Sequence, residues 1–219
     1  MRIEIIVRSM PERPKLYSMP ISHWCVSADR ILAFKGVAFD TVYVPYHDKT
    51  DLIAATGQDY VPTLVWDGKP VMWHEIPEFL EKKRPKPTLY PDGKKGLAVA
   101  IEQWSHAVTE EKVWRYVVTK VPPVLRDDRE RWVFEEMQTR ARGPWHVLEM
   151  RREEFRKDMI AELARIDAML DGREWILGEP GLADFGVYGS VSPLFTVGEA
   201  VPKGLPNLAA WAKRIRALG

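Results

Sequence analysis

Ser22-His23-Trp24-Cys25 is the stretch of this sequence whose residue types and spacing could do chemistry. It follows Pro20 and opens a segment in which Val26, Ile31, Leu32 and Phe34 suit a helix that Gly36 stops. A serine at such a start sets its hydroxyl beside free backbone amides and the positive end of the helix dipole, which together stabilise an anion, a thiolate included. The plainer role is an ordinary N-cap. Ser22 and Cys25 also have the spacing of a Cys-x-x-Cys pair that has lost its first cysteine, which argues against dithiol exchange. Cys25 alone could be acidified in the first turn and form a mixed disulfide as a redox residue, or it could fill a small buried space.

Cys25 is the sole cysteine, so an intrachain disulfide and a multi-cysteine metal cluster are excluded and a reducing, cytoplasmic setting is expected. The histidines at 23, 47, 74, 106 and 146 show no His-x-x-x-His spacing, and no metal is expected. His47, Lys49 and Gln58 could hold a carboxylate or simply face solvent. Trp104, Tyr116 and Trp145 could line a hydrophobic site or pack as core. Lys and Arg number 32 against 31 Asp and Glu, which gives no electrostatic ground for nucleic acid or an anionic membrane as partner. Apolar runs fall far short of the roughly 20 residues that a membrane span needs. Arg2, Glu4 and Arg8 interrupt the first apolar stretch, so no signal peptide is expected.

These residues need elements to position them. Ile3 to Val7 reads as a strand, Lys15 to Ser18 as another, and Thr41 to Tyr46 as a third. A short helix is expected around Leu52 to Ala55. Pro62 to Trp66 and Pro70 to Trp73, separated by Asp67-Gly68, read as a hairpin, and a helix follows over about Ile76 to Lys83. Strands and helices thus alternate through the first 83 residues, an α/β pattern. Prolines 85, 87 and 91 with Gly93 mark a linker over 84–93. From Lys94 the spacing is helical throughout, with Leu97, Ile101, Trp104 and Val108 in one run and Phe155, Met159, Leu163, Ile166 and Leu170 in another. Leu182 to Phe195 is apolar on nearly every side and should be the buried central helix. A last amphipathic helix follows Pro206.

Several stretches resemble the glutathione transferase superfamily over most of the chain from residue 15. Leu16-Tyr17-Ser18-Met19-Pro20-Ile21-Ser22 resembles its first strand and catalytic loop, and Val61-Pro62-Thr63-Leu64-Val65 before Asp67-Gly68 is similar to the segment carrying its cis-proline. Leu89-Tyr90-Pro91 looks like its linker, and Gly178 through Ala183-Asp184-Phe185 like the opening of its central C-terminal helix. The resemblance implies a thioredoxin-like, glutathione-binding α/β domain over 1–83, with 1–14 as an added strand or extension, and an all-helical domain over 94–219. It also implies a serine-type or atypical member: Ser22 holds the glutathione thiolate for attack on a small hydrophobic electrophile, and Val61 and Pro62 align the peptide. Glutathione would be the cosubstrate, without a metal, in a cytoplasmic homodimer. The alternative is a non-catalytic binding or protein-interaction module on the same fold.

The sequence departs from the family at two places. Counting back from Phe79-Leu80, the acidic residue and serine that hold the γ-glutamyl group are replaced by Met72 and Trp73, and Pro77 removes another amide near the helix start. His74 and Glu75 could partly compensate, the first for a carboxylate and the second for the amino group. The other departure is Gly181, where the family usually has the Ser or Thr of a capping box with Asp184. Asp184 should then be structural, and removing its side chain should cost about 1 kcal/mol or somewhat more.

Overall fold

The computed structural model describes residues 12–218. The strand expected at Ile3 to Val7 lies outside them. The first part runs β1 (Lys15–Ser18), α1 (His23–Phe34), β2 (Asp40–Tyr43), α2 (Thr50–Thr56), β3 (Thr63–Trp66), β4 (Lys69–Met72) and α3 (Ile76–Lys83). One sheet has the order β2-β1-β3-β4, with β1 and β2 parallel and the other pairs antiparallel. A parallel pair needs a crossover, and α1 supplies it.

Local chemistry accounts for the boundaries. Gly36 takes φ +62°, and the amides of Gly36 and Val37 donate to Ala33 and Leu32, so α1 ends in a Schellman motif. Asp67 and Gly68 both have positive φ, as the tight turn between β3 and β4 requires. Pro70 sits in β4, an edge strand that can spare an amide donor. β2 stops at Tyr43, short of the Tyr46 expected from β-propensity, because Pro45 has no amide to continue the ladder.

The helical part comprises α4 (Lys95–Trp104), α5 (Glu110–Val117), α6 (Asp128–Arg142), α7 (Trp145–Met150), α8 (Arg152–Met169), α9 (Leu182–Thr196) and α10 (Pro206–Arg216). The apolar run from Leu97 to Val108 is not one α-helix: a π-helical turn over Ser105–Thr109 separates α4 from α5. α9 is buried almost throughout and packs chiefly on α1 and α4.

The two parts meet closely. Ser27 Oγ donates to the Phe185 carbonyl at 3.1 Å, Leu182 N–H donates to Leu89 O at 2.9 Å, and the buried Glu130 carboxylate accepts from Tyr43 OH and Tyr46 N–H. Buried Lys35 pairs with Glu81 and donates to the carbonyls of Arg84 and Pro87, tying the end of α1 to the chain leaving α3. At Gly189 a Cβ would stand 2.0 Å from Ser27 Oγ and 2.5 Å from the His23 carbonyl, so only glycine lets α9 approach α1 this closely. Gly189→Ala should therefore cost about 1–3 kcal/mol by overpacking. Urea denaturation reads this directly, and an unchanged midpoint would contradict the packing described.

Asp184 does more than complement a helix dipole. Fully buried, it accepts from the Ile176 and Gly181 amides at 3.0 and 3.2 Å and from Trp211 Nε1 at 2.8 Å, which raises the expected cost of its removal well above that of a helix cap alone. The glycine at 181 has its own reason: a Cβ there would lie 2.7 Å from Leu89 O.

Candidate functional site

Ser22 is the N-cap of α1, with extended backbone at φ −79° and ψ 118°. Its amide donates to Met19 O at 2.9 Å and its carbonyl accepts from Val26 N–H at 3.1 Å, but its hydroxyl makes no capping bond. The amides of the following first turn have no acceptor within the helix. Ser22 is half-buried. The register that sets Tyr17 opposite Thr63 brings the residues after β1 and those before β3 to the same end of the sheet, so Val61 and Pro62 lie at the Ser22 end. The Val61–Pro62 peptide bond is cis.

Cys25 stands one turn inside α1 at 1% exposure, and its sulfur accepts from Met19 N–H at 3.4 Å. Burial pushes its thiol up, against the bonds from Ser22, Met19 and Ser18 that would lower it. A thiol that is both covered and kept protonated is a poor nucleophile. Titration with a disulfide reagent should find Cys25 slow to react in the native protein at pH 8 and fully reactive in denaturant; rapid native labelling would show the thiol is open.

Beside Ser22, the next two side chains reach across to the helical part. His23 Nδ1 lies 3.5 Å from Glu110 Oε1, and the His23 ring packs on His106. Trp24 stacks on His106 with centroids 3.5 Å apart and leans on Trp73 at 4.2 Å. Burial lowers His23 to about 4 and, with the neighbouring His23 adding to the effect, His106 to about 3, so both rings are neutral at pH 7. Burial raises Glu110 to about 7, while Arg142 opposes the rise. His106 Nδ1 meets Ser190 Oγ at 3.3 Å, and its Nε2 is buried with no partner among the described residues.

A cleft of about 410 Å³ opens along the seam between α3 and α4. Trp24, Trp73, His74, Pro77 and Glu78 form one wall, while Tyr90, Lys95, Val99, Glu102, Gln103 and Leu182 form the other. Ser22, Val61 and Pro62 do not line this cleft. His74 is exposed at the cleft, and the exposed Glu75, N-cap of α3, accepts from Met72 N–H at 3.2 Å. The structure thus brings Trp73 and His74 onto the seam and ties Glu75 back to its own hairpin.

The aromatic residues read as a hydrophobic site do not line the seam cleft. Tyr116 is buried and its hydroxyl accepts from Lys120 Nζ at 2.8 Å; Trp145 packs edge-on to Phe134; Trp104 packs against the core at the end of α4. The aromatics that do line it are Trp24, Trp73 and Tyr90. Glu102, His106 and Glu110 were missed at the seam, and the helical spacing around them carries no sign of the π turn. Lys49 Nζ donates to Asp59 O at 2.7 Å, whereas His47 Nδ1 and Gln58 Oε1 are buried without partners among the described residues. Among the described residues no group of His, Cys, Asp or Glu is placed to hold a metal ion, and no helix is long and apolar enough to cross a membrane.

A thioredoxin-like α/β sheet with a helical bundle packed on its first helix defines the architecture of glutathione transferases. Residues 16–88 match the family model described as "Glutathione S-transferase, N-terminal domain". Among solved structures, the chain is similar to a glutathione transferase from Phanerochaete chrysosporium, with a TM-score of 0.82 and 18% identity over 96% of this chain and 98% of that one. A glutathione S-transferase of Ceriporiopsis subvermispora in complex with glutathione gives a TM-score of 0.78 at 17% identity, covering 94% and 96%. Glutaredoxin 2 from Salmonella typhimurium, also in complex with glutathione, gives 0.79 at 17% identity, covering 94% of each chain. No curated protein matches the chain in sequence. Residues 16–88 thus match a glutathione S-transferase N-terminal domain, and the chain as a whole shares the fold of these structures.

Proposed function

We propose that the protein is a glutathione transferase-like enzyme in which Ser22 stabilises the glutathione thiolate for attack on an electrophilic carbon of a hydrophobic cosubstrate. The observation that carries this reading is the place of Ser22 as N-cap of α1, where its hydroxyl makes no capping bond and the first-turn amides have no acceptor within the helix. Val61 and Pro62, at the same end of the sheet, would pair with the cysteinyl part of the peptide. The glutathione complexes of two similar structures support the ligand. In this scheme residues 1–83 bind glutathione, 84–93 link, and 94–219 offer the cosubstrate surface; a cytoplasmic homodimer is part of the same proposal. No metal takes part in it.

The conventional γ-glutamyl site is altered. Trp73 is engaged with Trp24, and Pro77 is buried in the first turn of α3, where it offers no amide. These two residues favour a second reading, a binding module that keeps the fold without the chemistry. Calorimetry with glutathione, followed by conjugation of an activated aryl halide, separates them. Binding with turnover is expected, whereas no heat at millimolar glutathione would overturn the enzymatic reading.

A further inference from the structure

The seam cleft has aromatic walls and one carboxyl group that no side chain in it pairs with. Glu78 pairs with Lys95 Nζ at 2.7 Å and accepts from Tyr90 OH at 2.6 Å, and Lys95 in turn lies 5.2 Å over the Tyr90 ring, so those groups satisfy one another. Glu102 lies seven residues beyond Lys95, about 10 Å along α4 at 1.5 Å per residue. Its carboxylate lines the cleft with no hydrogen-bond or ion-pair partner among the described residues. Its stem is fixed in place, because the helix opposite presents Gly186, where a Cβ would stand 2.6 Å from Glu102 Cγ. Burial pushes the carboxyl up to about 7, as expected of a charge kept without a counter-ion. On the facing wall Trp24 is held between His106 and Trp73, so its position is built before any ligand arrives.

These features select a ligand class. Indole faces favour a flat ring, and they also favour a nearby cation. The half-buried Glu102 carboxylate, which no side chain pairs with, favours an ammonium that donates to it, and it disfavours both a neutral ligand that displaces its water and an anion that repels it. We infer that the cleft between α3 and α4 binds a planar aromatic amine in its ammonium form, with the ring against Trp24 and Trp73 and the ammonium on Glu102. The cleft volume of about 410 Å³ is within the range of small-molecule sites and suits a bicyclic ring system. This site does not depend on thiol activation, because Ser22 is not part of it.

Isothermal titration of the full chain with three probes tests the assignment: 1-naphthylmethylammonium, neutral 1-naphthylmethanol and anionic 1-naphthylacetate. The ammonium should bind at least about tenfold tighter than the alcohol, in keeping with a hydrogen bond to a charged group, and the acetate should bind most weakly. Glu102→Gln, nearly isosteric, should remove the preference for the cation, and Trp73→Ala should weaken all three probes alike. Ser22→Ala should leave the ammonium affinity unchanged while its conjugation rate falls. Equal affinities for the three probes in the parent protein overturn the assignment, and that comparison needs no variant to fold. A preference that survives Glu102→Gln overturns it as well. Displacement of the amine by millimolar glutathione would assign Glu102 to the peptide's own ammonium group, which also overturns it.

Discussion

If Ser22 holds the thiolate as proposed, Ser22→Ala should lower the conjugation rate at pH 7 and recover it at high pH. A hydrogen bond to a charged group contributes about 1.5–3 kcal/mol, and 1.36 kcal/mol corresponds to one pH unit, so losing the hydroxyl should raise the bound thiol's pKa by about one to two. Below the parent thiol's own pKa the thiolate fraction then falls about 10- to 100-fold. The more basic thiolate is also the better nucleophile, with a Brønsted slope of about 0.4–0.5, which returns part of the loss. The net decrease should be about 3- to 16-fold below that pKa and should shrink, then reverse, above the shifted one. Ser22→Thr keeps a hydroxyl and should retain most of the rate. The pH–rate profile is the deciding measurement, because a variant that merely loosened α1 would lose rate equally at every pH. A profile for Ser22→Ala that overlays the parent's would remove Ser22 from the chemistry.

Elements set by neighbouring residues were legible in the sequence. Gly36 after an apolar helix, Asp67-Gly68 between β-rich runs, and the nearly all-apolar Leu182 to Phe195 each act within a few residues, and each lies where its local chemistry puts it. Features set by distant contacts were not legible. Gly181 reads as a missing capping serine, yet the cause is the Leu89 carbonyl, far away in the chain and 2.7 Å from where a Cβ would stand. Tyr116 and Trp104 recur at helical spacing, and such spacing does not distinguish a residue facing a cleft from one facing the core. The partner that holds Lys120 beside Tyr116 is Glu199, remote in sequence. The sequence assigns Trp24 no role, because nothing local indicates that His106 from the π turn and Trp73 from the end of the hairpin will close on it. The position of Ser22 at a helix start was readable; the aromatic and acidic wall beside it was not.

Asp184→Ala should be among the most destabilising single changes in the helical part. The carboxylate is fully buried and accepts from two backbone amides and one indole, with Oδ1 shared by Ile176 N–H and Trp211 Nε1 and with Oδ2 taking Gly181 N–H. Burial alone would neutralise the group, but those donors hold its pKa to about 6, so it remains mostly ionised at pH 7. Truncation removes one acceptor and leaves three buried donors unsatisfied. At about 1–3 kcal/mol for each donor, with incomplete additivity, the expected loss is about 3–5 kcal/mol. For a chain of this size that corresponds to a decrease in Tm of about 10 °C. Asp184→Asn keeps one carbonyl oxygen, which can still serve Ile176 and Trp211, but its NH₂ would face the Gly181 amide, so it should lose about half as much. Trp211→Phe removes one of the three donors rather than their acceptor and should be milder than Asp184→Ala in its hydrogen-bond effect. Combining it with Asp184→Ala should cost less than the two changes added separately, because the indole no longer has a bond to lose. Strict additivity, or a Tm for Asp184→Ala within about 2 °C of the parent, would mean that the loop through Ile176, the start of α9 and α10 is not joined through this one carboxylate.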